Sequence, residues 1–523
     1  MTQRTPKAEL KYKIKHERGF FSKRVLGSKH HKYQKELLLT LLRESRVAVR
    51  SAHDLGKTFT ISDAILEALY ALGPCYIITT APTWNLVINV LFGEIRKKYN
   101  QAKYTLGGRL KTTEVELGDK WKLIGFSPRV SVTGDTSTFQ GFHAPLVIIV
   151  FEEATGIPQQ IWKMAEGMMT SANVKWWAIG NPTDGNSEFA KCFESYEWVK
   201  IKWDCFLSPN LIANNVKCIE DIQREVAKVL SLKDDEAKRA YVANYKVVAP
   251  ELLSLQWVIS KAIDWGIDSP LFRSKVLAEF PIEAEDTFVP LWRAEQCMNR
   301  DSIEEGYVTK LNGNVRAVGV DIARFGSDNT EFKVLFGNEE IYKKTLSKKD
   351  LVATYTECKN IIDKWPDDNF IFTIDATGIG SGVVDMMNND YMIAKNKRIR
   401  VEEIHFGSNA VNETKYVNKV SEMAGMLADR MKSKEGLILQ QDDILLSQLT
   451  MRKYKHDLNG RYWIEPKDDY KKRAMGKSCD ALDALLLANY GLYLSDSASS
   501  FTIYDVVMKG SNSITSSIEE DNY

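Results

Sequence analysis

Short apolar runs alternate with helical stretches along the first part of the chain, to about residue 200. The runs at Arg46–Arg50, 75–82, 146–150 and 176–180 have the pattern of buried strands, and 58–72 has that of a helix. Alternation of strands with helices favours a parallel sheet covered by helices on both faces. This part is therefore predicted to be a doubly wound α/β domain with a mostly parallel sheet.

A second α/β pattern begins at 315–323 (VRAVGVDIA) and includes 370–378 (FIFTIDATG), with helices expected near 350–364 and 479–492. The stretch between the two patterns is mostly helical, with long polar segments. The tail from Ser495 is rich in serine and ends in acidic residues, which predicts a mobile end. These patterns divide the chain into four parts, namely 1–205, 206–311, 312–494 and 495–523.

Composition is that of an ordinary globular protein, with 44% hydrophobic and 27% charged residues. No apolar run reaches about 18 residues, so no membrane partner is expected. The seven cysteines are scattered without a CxxC pair, which argues against a zinc site or a disulfide framework. Net charge is only +1, so affinity for DNA would need local basic patches such as 1–35 and 452–477. A solvated basic arm explains each patch equally well.

The segment after the first strand resembles a phosphate-binding loop. It reads SAHDLGKT at a strand-to-helix turn, although Ser51 stands where the usual pattern has its first glycine. In such loops backbone N–H groups hold phosphate oxygens, the lysine neutralises the terminal phosphates and the next hydroxyl holds Mg²⁺. The last two roles fall to Lys57 and Thr58. The residues predicted to contact the nucleotide here are Ser51, Ala52, His53, Asp54, Leu55, Gly56, Lys57 and Thr58.

Two acids follow the apolar strand at 146–150. Such a pair suits metal binding and water activation in phosphoryl transfer. Glu152 is predicted to contact the nucleotide and hold Mg²⁺, and Glu153 to orient the attacking water. Phosphoryl transfer also needs a cation on the developing charge, for which Arg50 and Arg129 are the candidates. Either arginine could instead pair with a carboxylate.

The second α/β pattern places aspartates at two strand ends and at one helix start. Asp321 and Asp375 end apolar strands, and Asp480 and Asp483 share one face of the predicted helix. Carboxylates in this arrangement can hold two divalent ions that activate water and stabilise the leaving oxygen of a phosphodiester. Asp321, Asp375 and Asp480 are predicted to be catalytic, and all four to bind Mg²⁺ or Mn²⁺. Taken singly, each aspartate is equally well explained as a turn or cap residue.

Together these motifs resemble the large terminase subunits of tailed bacteriophages, which package viral DNA. Further segments that look like this family are TTAPTWNLV, FQGFHAP, IGNPTDG and LAEFPIEAEDTFVPLW, at 79–87, 139–145, 179–185 and 277–292. The resemblance runs from about residue 30 to 490, and the order of the motifs is more specific than any single motif. The chain departs from the family pattern at Ser51, at Glu152 in place of aspartate, and at Cys479 in place of proline.

The resemblance implies a P-loop ATPase followed by a ribonuclease-H-like nuclease domain. It assigns Gln34 to reading adenine and Asn181 to the segment that senses the γ-phosphate. It also places an arginine that acts on the neighbouring subunit near Arg129. Asp328 matches a further acid of the family, although Gly-Ser-Asp-Asn is also a good turn. Whether Asp328 or Asp483 is a direct metal ligand stays open.

The function implied is ATP-driven translocation of double-stranded viral DNA into a procapsid, with metal-dependent endonucleolytic cutting of concatemeric DNA. ATP is the expected substrate, with Mg²⁺, or Mn²⁺ at the nuclease site. Expected partners are the portal protein, a small terminase subunit and further copies in a five-membered ring. The expected location is the host bacterial cytoplasm and transiently the procapsid portal, but not the mature virion.

Two alternatives to packaging stay open. One is a helicase-like or repair ATPase with an attached nuclease, although no second ATPase-like pattern follows residue 200. The other is a DNA-binding scaffold with degenerate sites, favoured only by the departures at Ser51, Glu152 and Cys479.

Overall fold

The computed structural model divides the chain into two compact units, Met1–Glu283 and Ala284–Tyr523. The helical stretch from residue 206 to 281 belongs to the first unit. The predicted residues Arg129 and Asp328, and the tail beyond residue 499, lie outside the described residues. The structure describes residues 5–126, 144–171, 173–281, 286–299, 315–323, 329–347, 350–432, 436–474 and 476–499.

The first unit contains one sheet of eight strands in the order β3-β4-β5-β2-β6-β7-β1-β8. From β5 to β8 every neighbouring pair is parallel, and β3 and β4 form an antiparallel edge. The predicted mostly parallel sheet is thus confirmed. The strands are β1 (Arg46–Ser51), β2 (Tyr76–Thr80), β3 (Arg109–Leu110), β4 (Glu114–Gly118), β5 (Trp121–Phe126), β6 (Val147–Glu152), β7 (Val174–Gly180) and β8 (Val199–Trp203).

Eleven α-helices are described in the first unit, and several begin at a side-chain cap, as at Ser208, Ser254 and Ser269. Serine at this position satisfies a free N–H group of the first turn. The helices are α1 (Pro6–His16), α2 (Lys32–Arg43), α3 (Lys57–Ala71), α4 (Phe92–Gln101), α5 (Gln159–Met168), α6 (Glu188–Cys192), α7 (Pro209–Ala213), α8 (Ile219–Leu230), α9 (Asp235–Ala243), α10 (Leu255–Trp265) and α11 (Pro270–Lys275).

An aromatic cluster fixes the two central strands β6 and β7. The ring of Trp176 lies 5.3 Å from the rings of Phe151 and Trp162, and 5.1 Å from that of Trp198. Every residue of β6 is buried. Large buried aromatic side chains contribute strongly to a core, so the carboxyl ends of these strands are held in place.

The second unit contains a five-stranded sheet in the order β11-β10-β9-β12-β13. Strands β9, β12 and β13 are parallel, and β10 and β11 are antiparallel to their neighbours. A mixed sheet of this kind agrees with the expected ribonuclease-H-like class. Its strands are β9 (Val315–Asp321), β10 (Asn329–Phe336), β11 (Glu339–Ser347), β12 (Asn369–Asp375) and β13 (Ile399–Ile404).

A separate hairpin and eight α-helices complete the described part of the second unit. Among all described residues, no helix is both long enough and apolar enough to cross a membrane. These elements are β14 (Tyr454–His456), β15 (Tyr462–Ile464), α12 (Leu291–Met298), α13 (Leu351–Lys364), α14 (Ser381–Asn389), α15 (Tyr391–Ala394), α16 (Lys419–Lys432), α17 (Asp443–Met451), α18 (Lys467–Arg473) and α19 (Asp480–Ser499).

Helix α19 packs directly on the backbone of β9 because Gly319 has no side chain. A Cβ atom at Gly319 would lie 2.0 Å from the Ala484 carbonyl oxygen and 2.4 Å from the Ala488 nitrogen. The hydroxyl of Thr373 in β12 donates to the Leu487 carbonyl over 2.8 Å. This close approach brings the first turn of α19 to the edge of the sheet where β9 and β12 end.

Replacing Gly319 with alanine is expected to destabilise the second unit by roughly 3 kcal/mol, because the added methyl group meets helix backbone that cannot yield. Urea dependence of hydrogen exchange in peptides from β9 and β12 measures this loss. Gly407→Ala is the matched control, since a Cβ atom there meets nothing within 4 Å. Equal protection in the two variants would contradict the packing described.

Candidate functional site

The loop between β1 and α3 leaves a row of backbone N–H groups free. It turns at Asp54 (φ 48°) and Gly56 (φ 79°), both left-handed. Gly56 caps α3 without a side-chain hydrogen bond. Within the described parts of the chain, the N–H groups of residues 54–58 donate to no acceptor. Free N–H groups at a helix N-terminus form an anion site, so the predicted phosphate loop has a backbone suited to phosphate.

Asn181, which directly follows β7, connects this loop to the acid after β6. Its Oδ1 accepts from Lys57 Nζ over 3.2 Å, and its Nδ2 donates to the Ser51 carbonyl over 2.6 Å. Its backbone N–H donates to Glu153 Oε2 over 3.4 Å. Lys57 Nζ is also 3.7 Å from Glu153 Oε1. The structure therefore brings together four of the predicted residues around one asparagine.

Glu152 faces Thr58 in a buried setting. The Thr58 hydroxyl donates to Glu152 Oε1 over 2.6 Å, whereas Oε2 is buried with no hydrogen-bond partner. Burial raises the pKa of Glu152 to about 7. A hydroxyl beside an unpaired carboxylate oxygen is a donor set that suits Mg²⁺, so the residues fit the expected cation.

Gly180 allows β7 to approach the residues after β6. A Cβ atom at Gly180 would lie 2.9 Å from the Ala154 nitrogen and 3.2 Å from the Glu153 carbonyl carbon. Glu153 itself is left-handed, with φ 48°, and its side chain is 36% exposed. A partly exposed carboxylate held at this turn can reach a water molecule beside bound phosphate.

A cavity of about 450 Å³ opens beside the phosphate loop and is lined in part by Gln34, Gly56, Thr58 and Leu252. Gln34 is 3% exposed, and its amide is already engaged. Its Oε1 accepts from the His31 N–H and its Nε2 donates to the Leu55 carbonyl, both over 3.0 Å. These contacts brace the loop, and a role in reading adenine stays a prediction.

Arg50 lies apart from the residues just described. Its guanidinium carbon is 5.3 Å from the ring centre of Phe193 and 5.8 Å from that of Phe280. Its Nε is buried without a hydrogen-bond partner, and burial lowers the pKa of Arg50. Successive residues of a strand point to opposite faces, so Ser51 reaches the loop and Arg50 does not. The structure gives no support for Arg50 as the phosphate-stabilising cation.

In the second unit, Asp321 and Asp375 end adjacent parallel strands. Val320 of β9 pairs with Ile374 of β12, so the two aspartates occupy equivalent positions at the same edge and on the same face. Asp480 and Asp483 lie in the first turn of α19. The structure therefore brings the four predicted acids to one place.

Lys467 at the start of α18 lies among these acids. Its Nζ is 3.1 Å from Asp321 Oδ2, 2.9 Å from Asp480 Oδ1 and 3.0 Å from Asp483 Oδ2. Arg452 adds a second cation, with NH1 3.3 Å from Asp483 Oδ1. Neither residue was assigned to the site from the sequence, although both belong to the basic segment 452–477.

The electrostatics of these acids follow from burial and from the two cations. Burial raises the pKa of Asp321 well above its usual value, against the opposing effect of Lys467. Burial also raises the pKa of Asp375. Around Asp483 the two cations Lys467 and Arg452 outweigh burial and hold its pKa below the usual value.

The donor set of this cluster fits a divalent cation, although an ammonium holds its centre. Within the described ranges, no group of three or more His, Cys, Asp or Glu side chains is arranged as a ready metal site. Lys467 Nζ nevertheless contacts three carboxylates. Oxygen ligands that gather around one positive charge suit Mg²⁺ or Mn²⁺.

Glu331 is a further acid of this region that was not predicted from the sequence. It lies on β10 directly opposite Asp321, and paired residues of antiparallel strands share a face. Burial raises the pKa of Glu331 to about 7. The available signal was an acid within the apolar strand TEFKVLF.

Solved structures similar to this chain include large terminases of three phages. A mutant nuclease domain of the large terminase subunit gp2 of bacterial virus Sf6, with manganese and β-thujaplicinol, is 16% identical, covers 39% of this chain and 97% of that chain, and has a TM-score of 0.33. The large terminase of a thermophilic bacteriophage is 12% identical, covers 88% and 98%, and has a TM-score of 0.35. That of bacteriophage HK97 is 11% identical, covers 92% and 99%, and has a TM-score of 0.34. No family model and no curated protein matches the chain.

Glu152→Gln is expected to stabilise the ligand-free chain in a pH-dependent way. The pKa of Glu152 is about 7 in the folded chain against 4.5 ordinarily, so its ionised form is disfavoured by folding. The gain over wild type should be negligible below pH 4.5, grow between pH 4.5 and 7, and level off above pH 7 at roughly 3 kcal/mol. Urea unfolding at several pH values, without Mg²⁺ or nucleotide, measures it. A gain independent of pH would show that the carboxylate is not the cause.

Lys467→Met is expected to tighten Mn²⁺ binding at the second site by roughly tenfold, because the ion no longer competes with a held ammonium. Calorimetric titration of the full chain with Mn²⁺ measures the Kd. Lys472→Met is the control on the same helix, since Lys472 pairs only with the exposed Asp469 in the described contacts. Weaker binding in Lys467→Met than in this control would disprove competition.

Proposed function

We propose that the chain is the ATP-driven motor and nuclease that packages phage DNA. The observation that carries the proposal is the presence of two complementary sites in one chain. One offers a row of free N–H groups beside Lys57 and the Thr58–Glu152 pair. The other gathers three carboxylates around a single positive charge. Such sites suit phosphoryl transfer and metal-dependent phosphodiester cleavage respectively.

At the first site, the free N–H groups of residues 54–58 and the ammonium of Lys57 hold the phosphates of ATP. Thr58 and Glu152 hold Mg²⁺, which when bound neutralises charge on the phosphate oxygens. Glu153 orients the attacking water. Asn181 contacts both Lys57 and the Glu153 carboxylate, so a shift of Lys57 after loss of the γ-phosphate reaches the end of β7.

At the second site, Asp321, Asp375, Asp480 and Asp483 hold the divalent ions while Lys467 moves away from the centre. Bound ions supply an activated water and stabilise the leaving oxygen of the DNA backbone. Arg452 stays buried beside Asp483 and orients that carboxylate; its side chain is 2% exposed.

Packaging, rather than strand separation or repair, is supported by the order of the motifs. The ATPase motifs precede the nuclease motifs, and the connecting segments 179–185 and 277–292 resemble those of large terminases. We infer double-stranded DNA, the portal protein, a small terminase subunit and a five-membered ring of this chain as its partners.

Two single substitutions should separate the two activities. Asp321→Asn is expected to lower Mg²⁺- or Mn²⁺-dependent cleavage of plasmid DNA by at least about a hundredfold, because one metal ligand is lost. ATP hydrolysis should stay unchanged. Lys57→Ala should do the reverse, lowering ATP hydrolysis by a factor on the order of a hundred, because the phosphate charge is no longer neutralised. Phosphate release and gel-based cleavage assays measure the two rates.

Matched controls are Asp385→Asn and Lys35→Ala, whose side chains are exposed on α14 and α2. Both controls should keep both activities. Loss of ATP hydrolysis and cleavage together in either test variant would contradict two separate sites. Absence of ATP hydrolysis in the wild-type chain, with and without DNA, would reject the motor itself.

A further inference from the structure

The phosphate loop is held from outside by a segment of the helical region. The backbone N–H of Leu253 donates to the Asp54 carbonyl over 2.9 Å. Asp54 is left-handed without being glycine, a conformation that persists only where the surroundings hold it. The bond from Leu253 is therefore part of what keeps the loop in its phosphate-ready form.

One side chain organises the segment that provides this bond. Asn210 in α7 is fully buried, at 0% exposed. Its Nδ2 donates to the carbonyls of Ala249 (2.8 Å), Leu252 (3.1 Å) and Leu253 (3.1 Å). Its Oδ1 accepts from the N–H groups of Val248 and Ala249, both over 2.9 Å. A single amide thus ties together residues 248–253, which a carboxylate, a hydroxyl or an apolar side chain cannot do.

The same segment also forms a wall of the cavity beside the loop. Glu251 and Leu252 line that cavity. Leu252 lies so close to the loop that a Cβ atom on Gly56 would be 3.8 Å from Leu252 Cδ2. Residues 248–253 therefore touch both the loop backbone and the space next to it.

We propose that Asn210 is a positioning residue for ATP binding. It fixes residues 248–253, so that the Leu253 N–H holds Asp54 and Leu252 closes the cavity beside Gly56. Through these contacts Asn210 sets the geometry of the free N–H groups at residues 54–58 without touching the nucleotide. This inference rests on the proposed ATPase function.

The test is the KM for ATP of Asn210→Ala in the full chain with Mg²⁺. We expect a rise on the order of tenfold, as for a loss of about 1.4 kcal/mol of binding, with a smaller change in kcat. A purely structural role would reduce the amount of active protein, and so the apparent kcat, without moving KM. Hydrogen exchange in the peptide covering residues 52–58 should rise in parallel.

Asn214→Ala is the matched control. Asn214 lies next to the same helix and also bonds backbone groups, but those of Asn210 and Lys246, outside residues 248–253. We expect its KM for ATP to equal that of the wild type. A KM shift of equal size in both variants would overturn the specific role of Asn210.

Ser208→Ala is a milder second variant for the case that Asn210→Ala fails to fold. The Ser208 hydroxyl donates to the Leu253 carbonyl over 2.6 Å, so KM should rise in the same direction by roughly threefold. An unchanged KM in a folded variant overturns the proposal. The wild-type chain separates the two levels: if it does not hydrolyse ATP the proposed function fails, and if it does while KM is unmoved in the variants only this inference fails.

Discussion

Parallel strands that lie side by side end at the same edge of their sheet, and both candidate sites depend on this constraint. In the first unit β1, β6 and β7 lead into the phosphate loop, Glu153 and Asn181, and β7 lies between the other two. In the second unit β9 and β12 end at Asp321 and Asp375. Backbone register therefore places the chemistry, and the buried aromatic and aliphatic residues behind it keep the register fixed.

The two sites deal differently with the cost of burying carboxylates. Glu152 has only the Thr58 hydroxyl on one oxygen, and its other oxygen has no partner. Asp321 instead shares the ammonium of Lys467 with two other acids. A buried charge without a partner is expensive, so a cation can enter the first site without displacing anything, whereas at the second it must replace a bound side chain.

The strands and the acids that follow them could be predicted because apolar runs and chain order are visible in the sequence. Lys467 and Arg452 could not be assigned, because Lys467 meets an aspartate 146 residues away and only the folded chain shows which of many basic residues does so. Arg50 shows the opposite error. It is next to the loop in sequence, but strand alternation turns its side chain toward Phe193 and Phe280.

The phosphate loop shows why buried amides matter to a binding site made of backbone. Its outward-facing groups are bonded to the protein: Ala52 N–H to the Trp203 carbonyl, His53 N–H to that of Lys275, and the Leu55 carbonyl to Gln34. Its N–H groups from residue 54 to 58 are left for a ligand. A loop with free N–H groups tends to satisfy them internally unless it is held from outside. Bracing by Gln34 on one side and by residues 248–253 on the other is thus a condition for binding phosphate at all.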